Sequence, residues 1–130
     1  MTAVSAQRKY KRVRYHISVG CLGPFEVFEA KTENLSEDGG CLQLSREISE
    51  GFLLPLIFRL PTRWKPVVAC ARVMWSRRDE VTGQFNCGIQ YIWLSPEDRE
   101  MLADFLGFFK DENEESSLIS FMLAKGEGTS

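Results

Sequence analysis

Between residues 13 and 21 the apolar side chains Val13, Tyr15, Ile17, Val19 and Cys21 alternate with Arg14, His16, Ser18 and Gly20. A period of two belongs to a strand with one face in a core and the other in water, so this stretch predicts a first strand. Gly23 and Pro24 then mark a turn, and 25–32 predicts a second strand whose alternation is blurred by Phe28 and Ala30. Residues 41–44 predict a short third strand. The run 52–60 is almost continuously apolar and predicts a fourth; Pro55 has no N–H to give to a ladder, which places that strand at an edge or at a bulge. In 67–75 the odd positions Val67, Ala69, Ala71, Val73 and Trp75 alternate with Val68, Cys70, Arg72 and Met74, predicting a fifth strand largely buried on both faces. After a polar turn at 79–83, Phe85, Cys87, Ile89, Tyr91 and Trp93 alternate with polar or small residues, and the two runs read as a hairpin.

The period changes once. Ser95-Pro96-Glu97-Asp98 joins a serine cap, a proline in the first turn and two acids at the positive end of the dipole, the signature of a helix start. Met101, Leu102, Phe105, Leu106, Phe108 and Phe109 follow at helical spacing and form an apolar face too wide for a solvated helix. Six short strands and one helix predict an all-β domain with a C-terminal helix, a six-stranded antiparallel β-barrel. The expected division is a flexible basic segment at 1–12, the barrel and helix at 13–109, and an acidic linker and tail at 110–130, with a short apolar segment at 118–123.

Composition narrows the function more by exclusion than by assertion. A chain of 130 residues holds one core and not two. Its net charge of -2 gives no overall attraction to nucleic acid or anionic lipid, so an anion site must be a local cluster, and no nucleic-acid partner is expected. No apolar run reaches about eighteen residues, and neither membrane insertion nor a signal peptide is expected. Cys21, Cys41, Cys70 and Cys87 are widely spaced in apolar surroundings and read as core thiols of a cytoplasmic protein, without metal-ligand spacing. His16 is the single histidine, which leaves little material for acid–base or nucleophilic catalysis; no metal, no cofactor and no enzymatic activity are expected.

Two polar clusters remain. Arg8-Lys9-Tyr10-Lys11-Arg12 places two arginines four residues apart, on one face if helical and roughly 13 Å apart on one side if extended. A guanidinium fork can bond phosphate oxygens or a guanine edge in bidentate fashion and stack on a ring, whereas a lysine would only bond the phosphate. Asn34-Leu35-Ser36-Glu37-Asp38-Gly39-Gly40 puts Asn34 and Ser36 on one side of an extended backbone, beside two glycines that tolerate close approach. Each cluster taken alone reads first as a solvated tail or an ordinary turn.

Together and in this order, RxxxR at Arg8 and Arg12 and [D/N]xSxxG at Asn34, Ser36 and Gly39 resemble the two signature motifs of the PilZ domain family. The resemblance extends through Cys87-Gly88-Ile89-Gln90-Tyr91 and the helix start, over about residues 7 to 109. It implies a split-barrel fold that binds the bacterial second messenger cyclic di-GMP. Arg8 and Arg12 would hold phosphates and guanine edges, Asn34 and Ser36 would bond guanine and phosphate groups, and Gly39 with Gly40 would admit the ligand to the backbone. Lys9, Trp75 and Arg77 are expected as secondary contacts. Asn34 accepts without the charge that an aspartate would bring. The partner implied beyond the ligand is an effector protein of unknown identity. The other readings are the same fold as a nucleotide-free interaction module, a single-strand-binding small barrel, and a homodimer formed through the helix or 118–123.

Overall fold

The alternating runs become β1 (Ser18–Leu22), β2 (Val27–Leu35), β3 (Gly39–Leu44), β4 (Leu53–Phe58), β5 (Val67–Arg78) and β6 (Phe85–Leu94), followed by α1 (Pro96–Leu106). The computed structural model describes residues 10–61 and 63–109. Each strand pairs antiparallel with both neighbours in the order β1-β2-β3-β6-β5-β4, and β4 returns to β1. The predicted six-stranded antiparallel barrel is therefore the fold, and its closure leaves no free edge to recruit another strand.

Closure also decides which faces are buried. Val67, Ala69, Ala71 and Val73 of β5 point into the barrel, whereas Val68, Arg72 and Met74 point out and are exposed. The expectation of a strand buried on both faces is corrected: the helix covers an end of the barrel and leaves its wall bare. Trp93, which the alternation predicts on the buried face of its strand, is exposed, and so is Trp64. Trp64 lies between β4 and β5, and Trp93 follows Ile92 where the β5–β6 register slips. The cysteines are free thiols; three are buried and Cys70 is half-buried on the wall.

The first strand is shorter than its alternation predicts. Val13 to Ile17 keep the pattern, and Val13 exchanges two backbone hydrogen bonds with Leu35 at 2.6 and 2.8 Å. Between those points the fully buried Thr32 hydroxyl stands in for a ladder rung, donating to the Tyr15 carbonyl at 2.6 Å and accepting from the Ile17 N–H at 2.8 Å. A side chain occupying the gap satisfies the backbone without a regular pair, so β1 begins only at Ser18. Pro55 answers its prediction locally. It faces Cys70 on β5, while the pairing of β4 with β1 stops at Leu56, giving Pro55 a paired strand on one side only.

The start of β1, the end of β4, the start of β5 and the end of β6 meet at one mouth of the barrel, and α1 plugs it. Ser95 Oγ caps the helix by accepting from the Asp98 N–H at 3.1 Å, with Pro96 in the first turn. Asp98 is buried and does more than favour the dipole: its carboxylate accepts from the Val68 N–H at 3.2 Å and from Lys65 Nζ at 2.6 Å, latching the helix to the start of β5. Burial of Asp98 opposes its ionisation, but these bonds outweigh it and hold the carboxyl below the usual range, while the same contact holds Lys65 above the usual lysine range. Leu102, Phe105 and Leu106 fill the mouth, each worth about 1.5–3 kcal/mol of burial. Toward the C-terminal end of the helix Tyr15, Phe105 and Phe109 form a ring cluster with centroids 5.3 to 6.2 Å apart, and Lys11 Nζ donates to the Phe109 carbonyl.

Candidate functional site

The turn from β2 to β3 is stitched by its own polar atoms. The Ser36 N–H donates to the Gly39 carbonyl at 2.8 Å, and Ser36 Oγ donates to an Asp38 carboxylate oxygen. Ser36 is 1% exposed, so its hydroxyl shapes the turn from within. The two glycines have a packing cause. A Cβ on Gly39 would lie 2.0 Å from the Ile89 carbonyl oxygen, and one on Gly40 would lie 2.4 Å from that of Asn34. Strands β3, β6 and β2 approach too closely there for any side chain. Asn34, half-buried on β2, keeps its amide oxygen buried and without a hydrogen-bond partner among the described residues.

Beside this turn the wall opens into a cavity of about 200 Å³ lined by Arg12, Asp38, Gly40, Met74, Trp75, Gly88, Ile89 and Gln90. Trp75 reaches it through an irregularity: the β5–β6 register shifts between Val73 and Trp75, turning the indole onto Gly88. A Cβ on Gly88 would sit 2.1 Å from the Trp75 indole nitrogen, so the glycine is the seat of the ring. The Arg77 guanidinium lies 5.4 Å from the Trp75 ring centroid, within cation–π range. Arg12 is half-buried and close enough to Cys41 to favour its thiolate, although burial of Cys41 dominates and raises that thiol. Behind the site Tyr91 donates its N–H to the Asp38 carbonyl at 2.9 Å, and burial followed by the Asp38 charge pushes its phenol up.

The structure thus brings Arg12, Gly40 and Trp75 to one cavity, with Arg77 on the outer side of Trp75 and Ser36 and Gly39 building the turn behind it. Arg8 and Lys9 lie outside the described residues. Sequence reasoning did not single out Asp38, Gly88 or Gln90. Gly88 carried a signal, since a lone glycine within an alternating strand marks a close approach, but its partner Trp75 emerges only once the register slip is known. Among the described residues no group of three His, Cys, Asp or Glu side chains is placed to hold a metal ion. No helix of these residues is long and apolar enough to cross a membrane.

No curated protein matches the chain. Among solved structures it is similar to the Bacillus subtilis inhibitor of motility MotI/DgrA, at 23% identity and a TM-score of 0.67 over 74% of this chain and 47% of that one. It is also similar to the PilZ domain of Escherichia coli YcgR with c-di-GMP, at 15% identity and a TM-score of 0.57 over 74% of this chain and 86% of that one. The larger E. coli YcgR structure in complex with c-di-GMP gives 14% identity and a TM-score of 0.66, over 95% of this chain and 51% of that one. At such identities the likeness is one of fold, and the chain spans about half the length of MotI/DgrA and of the larger YcgR chain. A family model described as PilZ domain matches residues 6–108, and this chain therefore belongs to the PilZ domain family.

Proposed function

We propose that the chain binds cyclic di-GMP with Arg8, Arg12 and the Asn34–Gly40 turn and passes that event to an effector protein. The observation that carries this reading is the convergence of Arg12, the backbone of the second motif and the face of Trp75 on one cavity. A cyclic dinucleotide offers phosphates to guanidinium groups and a purine face to an indole. The cavity is smaller than the roughly 300–1,000 Å³ of a site that engulfs its ligand, so in this reading the dinucleotide rests against the wall, with Arg8 and Lys9 as further contacts. Trp75 and Arg77 supply a stacked wall at the side.

In this reading the residues of the second motif have different duties. Asn34 has an amide to offer, whereas Ser36, Gly39 and Gly40 act mainly by holding the turn against β6 and β2. Micromolar binding needs about 8 kcal/mol, and hydrogen bonds to charged groups contribute about 1.5–3 kcal/mol each, so two arginines and the turn suffice. The PilZ domain is a regulatory ligand-binding module, and we assign no catalytic step to it.

The test is calorimetric titration of the full chain with cyclic di-GMP, with GMP and Arg12→Ala as controls. The expected result is micromolar or tighter binding of the cyclic dinucleotide alone, weakened at least tenfold by the substitution while the fold is retained. Absence of heat together with an unchanged NMR spectrum would refute the reading and leave the barrel as a protein-interaction module.

A further inference from the structure

Among the described residues that line the candidate ligand cavity, Asp38 is the only acid, and it stands there with Arg12 and the Trp75 indole. A carboxylate repels a phosphate, so its place in this cavity needs a cause other than phosphate binding. The turn does not supply one. It is closed by the Ser36 N–H, which donates to the Gly39 carbonyl at 2.8 Å, and by the close seating of Gly39 on the Ile89 carbonyl. Ser36 Oγ donates to one Asp38 carboxylate oxygen and has the Gly39 carbonyl at 3.3 Å as a second acceptor, so the buried hydroxyl keeps a partner without the acid.

The Asp38 carboxylate is held at its root and open at its tip. The Asp38 N–H donates to Ser36 Oγ at 3.3 Å, and its carbonyl accepts from the Tyr91 N–H at 2.9 Å, which fixes the backbone on both sides. The residue is nevertheless exposed. Among the described residues it forms no ion pair, and Ser36 is the one partner of its carboxylate. An ionised carboxylate only accepts, and each oxygen has more than one lone pair, so both oxygens retain capacity toward the cavity. A fixed acceptor pair beside an aromatic face is an arrangement that reads the edge of a stacked base.

We infer that Asp38 is the guanine-selecting residue of this cavity, an inference that rests on the cyclic di-GMP reading. A base laid on the Trp75 indole turns its hydrogen-bonding edge toward the rim. On guanine that edge carries two adjacent donors, the ring N1–H and the exocyclic N2 amine, which together match the two oxygens of one carboxylate in charge-assisted bonds. On the same side of the ring adenine has the acceptor N1 and a bare C2, so it meets the carboxylate with lone pair against lone pair. Hypoxanthine keeps the N1–H and lacks the amine. The two charges of the cavity thereby divide the ligand, the phosphate going to Arg12 and the base edge to Asp38.

Calorimetric titration of the full chain and of Asp38→Ala, each with cyclic di-GMP and with cyclic di-IMP, whose hypoxanthine lacks the N2 amine, tests this. The native chain is expected to bind cyclic di-IMP about tenfold more weakly than cyclic di-GMP, the loss of one hydrogen bond to a charged acceptor. In Asp38→Ala cyclic di-GMP should weaken at least tenfold, and the two affinities should come within about twofold of each other. Their ratio is the readout that a structural role would not move. If the carboxylate only braces the turn, its removal weakens or abolishes both ligands alike; if it only offsets Arg12, its removal tightens both. Either result, or a native ratio near one, would overturn the inference and leave the cyclic di-GMP reading standing, whereas a native chain that binds neither dinucleotide would overturn both. Should Asp38→Ala fail to fold, Asp38→Asn replaces it: the amide keeps an oxygen for Ser36 and turns an NH2 toward the guanine donors, so the ratio should again collapse, and an unchanged ratio would refute the assignment.

Discussion

Replacing Asp98 by asparagine should separate the helix latch from the helix itself. The variant keeps the backbone N–H that Ser95 caps and keeps an oxygen able to accept from Val68, but it removes the charge that Lys65 meets at 2.6 Å. A hydrogen bond to a charged group is worth about 1.5–3 kcal/mol, and the amide's own NH2 cannot accept from an ammonium. Lys65 is partly exposed and has Glu97 at 3.8 Å as a second partner, which favours the lower half of that range. The expected loss for Asp98→Asn is about 1–2 kcal/mol at pH 7, or about 5–15 °C in Tm for a domain of this size. The pH dependence supplies the sharper test. Because the folded carboxyl sits below its unfolded value of 3.8, the native chain holds this contribution above about pH 4 and loses it as pH falls through the lowered folded value. The stability gap between native and variant should therefore be full at pH 6–7 and shrink below pH 4 in urea titrations followed by circular dichroism. Equal stability at pH 7, or a gap that stays constant down to pH 3, would refute the latch.

Thr32→Val preserves shape and deletes only the hydroxyl joined to Tyr15 and Ile17; stability should fall by about 1–3 kcal/mol, with faster amide exchange at Ile17, and an unchanged exchange rate would contradict the assigned rung. Gly88→Ala should expel the Trp75 indole at a cost of about 1–3 kcal/mol, read as a shift of its indole N–H resonance and a weaker response to cyclic di-GMP; an unmoved resonance would place the ring elsewhere. Burial pushes Cys21 and Cys87 up to about 12 and also raises Cys41, so Ellman's reagent at pH 8 should modify Cys70 quickly and the other three only at the rate of unfolding. Four rapid thiols in the folded protein would contradict the assigned core.

The barrel was legible because alternation reports one buried face per strand, and the helix because its cap was explicit at Ser95. What sequence could not supply was everything that depends on how strands slide past each other. The register slip between Val73 and Trp75 moves the indole from the inward series to the wall of the cavity, and pattern reading has no access to a slip. Thr32 looked like the polar end of a strand and proved to be a buried rung. Pro55 carried a true signal whose meaning depends on where a neighbouring strand stops, whereas Trp93 was taken out of the inward series by the register slip at Ile92. The polar motifs were found by their residue types, yet Ser36, Gly39 and Gly40 turn out to spend their chemistry within the protein.

The bond from Lys11 Nζ to the Phe109 carbonyl fastens the two limits of the described chain to each other, within one lysine side chain's length. Arg12 is the next residue along, and Val13 is pinned to Leu35 immediately after it. The first and last described residues therefore stand side by side, with Arg12 between that fastening and the Val13–Leu35 pair. A group that engages Arg12 thus sits one residue from each of the two fastenings that hold this corner of the barrel together.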